Sequence, residues 1–466
     1  MSLSTQTRTE RDSLGDREIP ADVYYGIQTL RAVENFPISG WKPHPSLVKA
    51  TVQIKKAAAR ANRELGALDP AIADAIDKAA DEILAGKLVD QFVVDPFQAG
   101  AGTSHNMNAN EVLANRAIEF LGGVKGEYSK VHPNDHVNCS QSTNDVIPTA
   151  IRLAALDLVG TLDEVVEKLA DSLEAKSKEF DGVIKSGRTH LQDAVPVRLG
   201  QEFLAYATAI RKNRKRIDTA ADELREIGLG GTAAGTGLNA PPGYRARVVE
   251  ELNAITKRNL RATRDYFESM QSMSPFVGLS GALRTLATDV IRISNDLRLL
   301  SSGPHTGLAE IKLPSLQPGS SIMPGKVNPV IAEMTTMVCF QVMGNDQTIA
   351  LAAQAGQLEL NVMMPLIAMN LLTSISLFSS SLTVYRNRMI EGIVADEEQC
   401  RWFAEHSAGL ATALNPKIGY ARAAEIAKRA VASGKTIRQI IEQDNLLDSE
   451  EAKQVLDMYS MTESSG

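Results

Sequence analysis

Apolar residues recur at helical spacing through most of the chain beyond about residue 143. In "IRLAALDLVGTLDEVVEKLADSLEAK", Ile151, Leu153, Ala154, Leu158, Leu162, Val165, Val166, Leu169 and Leu173 form one broad stripe. Asp163, Glu164 and Lys168 lie mostly off it. A stripe with a period near 3.6 residues predicts an amphipathic helix. Similar patterns run through "SGALRTLATDVIRISNDLRLLSS" and "PVIAEMTTMVCFQVMGNDQTIALAAQ". Proline is absent from 149–195, 197–240, 276–303, 330–364 and 366–415. Proline breaks helix interiors, so these windows allow helices well beyond the usual mean of roughly 11–12 residues. Several in succession predict a mainly α protein built on a long antiparallel bundle. Stripes on more than one side predict packing against further subunits.

Residues before about 143 read as a mixed region, helical at 48–87 and loop-rich elsewhere. After about 398 comes a compact tail, in which "GYARAAEIAKRAVASGKTIRQIIEQ" predicts two helices. The expected domains are therefore 1–143, 144–398 and 399–466. With 466 residues, 44% hydrophobic and 23% charged, the chain can bury a large core. A net charge of −7 without a long basic run argues against nucleic acid or an anionic membrane as partner. The most apolar late stretch, "NVMMPLIAMNLLTSISLF", is interrupted by Asn361, Pro365, Asn370 and Thr373, and predicts a buried core helix rather than a membrane span. The start, "MSLSTQTRTERDSLG", has no apolar run of signal-peptide type. Cys139, Cys339 and Cys400 are widely spaced with no CxxC, which fits a reduced, cytoplasmic protein.

Several motifs fail on spacing. In "GSSIMPGKVNP" (319–329), Gly319 and Gly325 have five residues between them and Val327 follows the lysine, so the phosphate-loop pattern GxxxxGK[ST] is not met. The GxSxG of a nucleophile elbow is absent there. "GLGGTAAGTGLNA" (228–240) only approximates GxGxxA and is expected to follow a helix, so a loop of close chain approach is the better reading than a dinucleotide site. His132 and His136 have a zinc-like spacing, but "HPNDH" favours a turn and surface or secondary anion contacts over a metal site. Four stretches remain: "GAGTSHNMNANE" (100–111), "NCSQSTND" (138–145), "GRTHLQD" (187–193) and "GSSIMPGKVNP". Each alone is explained by turns and helix caps. Together they offer many neutral donors, a lysine and a histidine, a set suited to a small polyanion whose charge grows during reaction.

At this point the motifs carry a resemblance. "GSSIMPGKVNP" is similar to the GSSxMPxKxN signature of the aspartase/fumarase superfamily. "GRTHLQDAVP", "GTGLN", "SQSTND", "NMNANEVLANRA", the beginning "LGDREIPADVYYGIQTLRAVENFPISG" and the tail "ALNPKIGYARAAEIAK" resemble it too. The resemblance spans nearly the whole chain. It implies a mainly α, three-domain fold whose central helices form a twenty-helix core in a homotetramer. It also implies active sites shared by three subunits, a small dicarboxylate substrate, and no metal or organic cofactor. The implied reaction eliminates a group from a succinyl skeleton to give fumarate, through an aci-carboxylate intermediate. Ser320 matches the general base, whose alkoxide the loop's backbone N–H groups and the nearby Lys326 can favour. Thr103, Ser142, Thr143 and Ser321 match the residues that hold the reacting carboxylate, and Thr189, Lys326 and Asn328 those that hold the other. Asn144 and His190 match the groups facing the leaving group, and Glu333 the acid that orients the histidine. His132, Asn134 and Asp135 match a secondary anion site of fumarases. The glycines around Ser320 suit a lid that assembles the base on closure.

The leaving group is the remaining choice. "GAGTS", "QSTND", "KGEYSKVHPNDHVN" and "VDQFVVDP" resemble ammonia-releasing members, whereas hydratases typically read GSGT and SSND. The expectation is therefore L-aspartate to fumarate and ammonia. Water from L-malate is the alternative, and a non-catalytic scaffold of the same fold the third. Two positions depart from the ammonia-releasing pattern: Met364 stands where a glutamate is usual, and His305 where the "SGPRxG" arginine is usual.

Overall fold

A computed structural model of the chain describes residues 6–463. The protein is mainly α. Among the described residues its five longest helices are Thr143–Glu179, Leu199–Asp222, Ser274–Leu300, Val330–Gln354 and Met364–Arg388, of 37, 24, 27, 25 and 25 residues. On the first of these, the stripe predicted from periodicity is buried at Ile151, Leu153, Ala154, Leu162, Val166, Leu169 and Leu173. Leu158 and Val165 are only half-buried. Among the described residues, the helical stretch Met364–Gly392 is long and apolar enough to cross a membrane. Its Ile367, Leu371, Leu372, Ile375 and Phe378 are fully buried inside the protein, as a core helix requires.

The chain divides into two compact units, and the boundary falls inside each of the five long helices. The first unit comprises Met1–Asp163, Lys215–Thr285 and Phe340–Phe378. It opens with a hairpin, β1 (Thr7–Asp12) and β2 (Gly15–Pro20). The helices α1 (Ile27–Asn35), α2 (Pro45–Glu64), α3 (Pro70–Leu84) and α4 (Thr103–Phe120) follow. Val52, Ile76, Ala79, Val112, Leu113 and Ala117 meet in the common core of α2, α3 and α4. The single helical region expected at 48–87 is thus two helices. Asp69 caps the second by accepting from the N–H groups of Ala71 and Ile72, and Pro70 at its first position cannot continue the first helix.

The second unit comprises Glu164–Arg214, Leu286–Cys339 and Ser379–Gly466. Its main sheet element is a hairpin of β3 (Ile184–Thr189) and β4 (Gln192–Arg198). The tail has a small core of its own, where Leu410, Leu414, Ile426, Ile437, Ile440, Ile441 and Leu456 cluster. The two helices predicted there are Tyr420–Ser433 and Ile437–Asp444. In the first unit, the glycine-rich stretch 228–240 does not follow a helix directly. A two-residue strand, β5 (Glu226–Ile227), precedes it and pairs in parallel with β6 (Arg261–Ala262).

Candidate active site

The first unit gathers the expected residues at two helix N-termini. Of the long helices above, α5 (Thr143–Glu179) begins immediately after Ser142. Ser142 Oγ accepts from the N–H of Asn144 at 3.2 Å, while the Ser142 N–H donates to Asp145 Oδ1 at 2.9 Å. This reciprocal capping leaves Ser142, Thr143 and Asn144 as a fixed first turn, at the end of the helix whose dipole favours anions. Pro148 has no N–H, so the Asn144 carbonyl lacks its usual intrahelical donor. Thr103 starts α4 and is exposed. The N-terminus of α4 packs directly on α5, because a Cβ at Gly102 would lie 3.1 Å from Ile147 Cγ1. Thr103 and the Ser142–Asn144 turn are thereby held close in one unit.

Asp145 is the anchor of this half-site. It is fully buried, and its second oxygen accepts from the N–H groups of Gly230 and Thr232 at 2.9 and 3.0 Å. Asn144 Nδ2 donates to the Ala233 carbonyl at 2.7 Å. Two amides of the glycine-rich loop are therefore bound to a carboxylate of the protein. Burial pushes the Asp145 carboxyl up to about 6, against three backbone N–H groups that lower it. Lys55 of α2 is also fully buried. Its Nζ donates to Asn138 Oδ1 at 2.8 Å, and Asn138 in turn donates to the Gln141 carbonyl at 3.2 Å. Burial lowers the Lys55 ammonium to about 7, and the nearby Asp145 charge opposes this. Sequence reasoning missed Asp145 and Lys55. A signal for the former stood in "STND", which is the [ST]xx[DE] pattern of a capping box ahead of an apolar run.

The second unit supplies the other expected residues. Thr189 ends β3, and His190 and Leu191 form the two-residue turn to β4. Both have positive φ, 55° and 58°, as a type I′ hairpin turn requires. Thr189 and His190 are exposed. In the loop 319–329, Ser320 Oγ accepts from the N–H groups of Ile322 and Met323 at 3.2 and 3.0 Å. The loop is closed by the Gly319 N–H donating to the Lys326 carbonyl at 2.7 Å and Asn328 Nδ2 donating to the Gly319 carbonyl at 2.9 Å. Lys326 Nζ donates to Asn328 Oδ1 at 2.5 Å. Ser320 and Lys326 line one cavity of about 410 Å³ with Pro318, Met323 and Pro324. Ser321 is exposed beside it. Glu333 lies in the first turn of Val330–Gln354 and is half-buried. Among the described residues no hydrogen bond joins His190 to Glu333.

The two histidines with zinc-like spacing are used locally. Residues Pro133–Val137 form one π-helical turn. His132 Nδ1 accepts from the N–H groups of Asn134 and Asp135, each at 3.2 Å, and His136 Nδ1 accepts from the His132 N–H at 2.9 Å. His132 and Asn134 line a cavity of about 540 Å³ in the first unit together with Arg11, Arg31 and Ser104. Of the two departures, Met364 is fully buried at the start of its helix and His305 is exposed.

Comparisons with known proteins agree on one family. The family model described as "Lyase" matches residues 15–344, and that of the "Fumarase C C-terminus" matches residues 410–463. The aspartate ammonia-lyase of Bacillus subtilis is 50% identical over 98% of this chain and 96% of its own length. The class II fumarate hydratase of Thermosynechococcus vestitus is 48% identical over 96% of each chain. A crystal structure of fumarate lyase:delta crystallin from Brucella melitensis bound to cobalt superposes with a TM-score of 0.96 at 52% identity. It covers 98% of this chain and 100% of that one.

Proposed function

Since the chain belongs to the aspartase/fumarase superfamily of lyases, we propose that it catalyses the reversible anti elimination of ammonia from L-aspartate to give fumarate. The observation that carries the mechanism is the setting of Ser320. Two backbone N–H groups donate to its Oγ, and hydrogen bonds to the charged form of a group favour that form. Ser320 as alkoxide removes the proton from the carbon beside a carboxylate. The electron pair is held on that carboxyl group as an aci-carboxylate with two negative charges. It then returns to form the double bond as the carbon–nitrogen bond breaks. Donors aimed at the developing charge lower this barrier most. Thr103, Ser142, Thr143 and Ser321 take that role, with Ser142 and Thr143 on a preorganised helix start. Thr189, Lys326 and Asn328 hold the other carboxylate, and Asn144 and His190 face the amine. Ammonia leaves neutral from an ammonium group, so no general acid is required.

The expected residues are divided between the two compact units, and among the described residues no hydrogen bond joins His190 to Glu333. This supports the homotetramer, with Glu333 orienting His190 across a subunit boundary and three subunits contributing to each site. Exposed Met337 and Phe340, at 67% and 59%, support it further. The three-domain division is retained as part of the proposal. The separate tail core and the separate match at 410–463 support a boundary near residue 399. Three unpaired cysteines support a cytoplasmic location. The chemistry needs neither a metal nor an organic cofactor, since the donors and the base are all side chains and backbone.

Hydration of fumarate to L-malate is the second reading, favoured by the 48% identical hydratase. The test of the first is that purified protein converts L-aspartate to ammonia and fumarate one for one. Release of ammonia without equal fumarate would reject the elimination.

A further inference from the structure

The His190–Leu191 turn is made of residues that do not favour it. Type I′ turns are normally Asn-Gly or similar, because both central residues need positive φ. A histidine tolerates this region better than most residues, but a leucine does not. The turn must therefore be imposed from the base of the hairpin. Residues Ala194 and Val195 of β4 oppose the single Gly187 of β3, which is a β-bulge. A Cβ at Gly187 would lie 2.7 Å from the Val195 carbonyl oxygen, so the two strands approach there as only glycine allows.

Strict alternation along β3 would send Lys185 and Arg188 to opposite faces. The bulge twists the hairpin between them, and the two long side chains converge on one carboxylate. Arg188 donates to both oxygens of Glu310, at 3.0 Å each, and Lys185 Nζ lies 3.3 Å from one of them. The Glu310 side chain is fully buried. Lys185 is balanced by the half-buried Glu202 at 2.9 Å, so the cluster holds two cations and two carboxylates around the buried Lys185–Glu310 pair. The Arg188 guanidinium also lies over the Phe403 ring, 5.1 Å from its centre. Glu310 is itself fixed by its backbone. Its N–H donates to the Leu300 carbonyl and its carbonyl accepts from the Asp396 N–H, both at 2.9 Å.

We propose that Glu310 is a positioning residue that, by clamping Arg188 at both carboxylate oxygens, aims Thr189 and His190 at the substrate. This rests on the reading that those two residues contact substrate. Glu310 touches no reacting atom and acts one residue away, through a bidentate pair whose planar geometry transmits orientation as well as charge.

The test uses the full-length protein in its native assembly, with Arg188→Lys, Glu310→Gln, Thr189→Val and the Arg188→Lys/Thr189→Val double variant. Lysine keeps the charge and loses the fork. Arg188→Lys is expected to raise KM for the amino acid roughly tenfold, with kcat changed much less. The double variant is expected to fall clearly short of the sum of the two single effects, because with Thr189 removed the clamp aims only His190. A general loss of structure would instead add to the Thr189→Val effect and lower kcat and thermal stability together. Glu310→Gln should follow Arg188→Lys in direction. Should it fail to fold, the arginine and threonine variants still decide the matter. An unchanged KM in Arg188→Lys, or additive effects in the double variant, would overturn the proposal while wild-type turnover stands. If the wild type turns over neither L-aspartate nor L-malate, the functional reading fails and the proposal falls with it.

Discussion

Ser320 has no histidine or acid within its own loop, and two backbone amides donate to its oxygen instead. Removing that oxygen leaves the donors without a base, so Ser320→Ala is expected to lower turnover by roughly 10²–10⁴-fold with the assembly intact. Activity near that of the parent in a steady-state assay would exclude Ser320 as base. A second residue-scale consequence concerns His105, on the α4 turn beside Thr103. Thr51 Oγ1 donates to the Leu47 carbonyl at 2.9 Å, so at 3.0 Å it accepts from His105 Nε2–H. Nδ1 is then a bare lone pair, buried and without a partner. Burial, with a smaller contribution from the Lys55 charge, lowers this imidazole to about 4. Below pH 6.5 the folded state therefore binds fewer protons than the unfolded one. The stability from neutral His105 is complete above pH 6.5 and is lost as pH falls through about 4, by about 3 kcal/mol there. Thermal melts from pH 7 to 4 should fall more steeply for the wild type than for His105→Gln. Parallel curves would show that His105 is not held neutral.

The elements that carry the site were unequally legible in sequence. The long helices stood out because their apolar stripes and proline-free windows agree, and Ile151 to Leu173 are buried much as the period implies. The hairpin did not stand out. Its turn residues, His190 and Leu191, lack turn chemistry, and the groups that hold its strands, a bulge and the Arg188–Glu310 pair, bring in a residue far away in sequence. The break between α2 and α3 was legible in principle, since Asp69-Pro70 is a cap followed by a helix-starting proline. The Ser142–Asn144 turn was recognised as chemistry, but its anchor Asp145 was not, because the loop amides that bind it come from residues 230 and 232. Leu191 offers a direct check at this scale. It is 69% exposed, so little packing is lost by replacing it, and asparagine tolerates positive φ better. Leu191→Asn is expected to stabilise the fold by up to ~1 kcal/mol, seen as a higher Tm. A lower Tm would mean that the leucine makes contacts in the assembly that outweigh its backbone strain.

At the scale of the whole molecule, the expected site residues are divided between the two compact units. Thr103 and the α5 turn belong to one compact unit, and Thr189, His190 and the Ser320 loop to the other. No periodicity could reveal which partners complete such a site; sharing among subunits is only what the motifs' resemblance to a known superfamily implies. The apolar residues Met337 and Phe340, three positions apart on Val330–Gln354, are exposed on the isolated chain. If the proposed homotetramer uses this face, Phe340→Lys is expected to dissociate it in light scattering and to abolish turnover with it. A monodisperse tetramer that stays active would remove this face from the interface. The central claim is the identity of the leaving group, and it is tested most directly by supplying L-aspartate and L-malate separately while fumarate is followed by its ultraviolet absorbance. Rapid fumarate formation from L-aspartate with little from L-malate is the predicted result. Rapid formation from L-malate with none from L-aspartate would contradict the account.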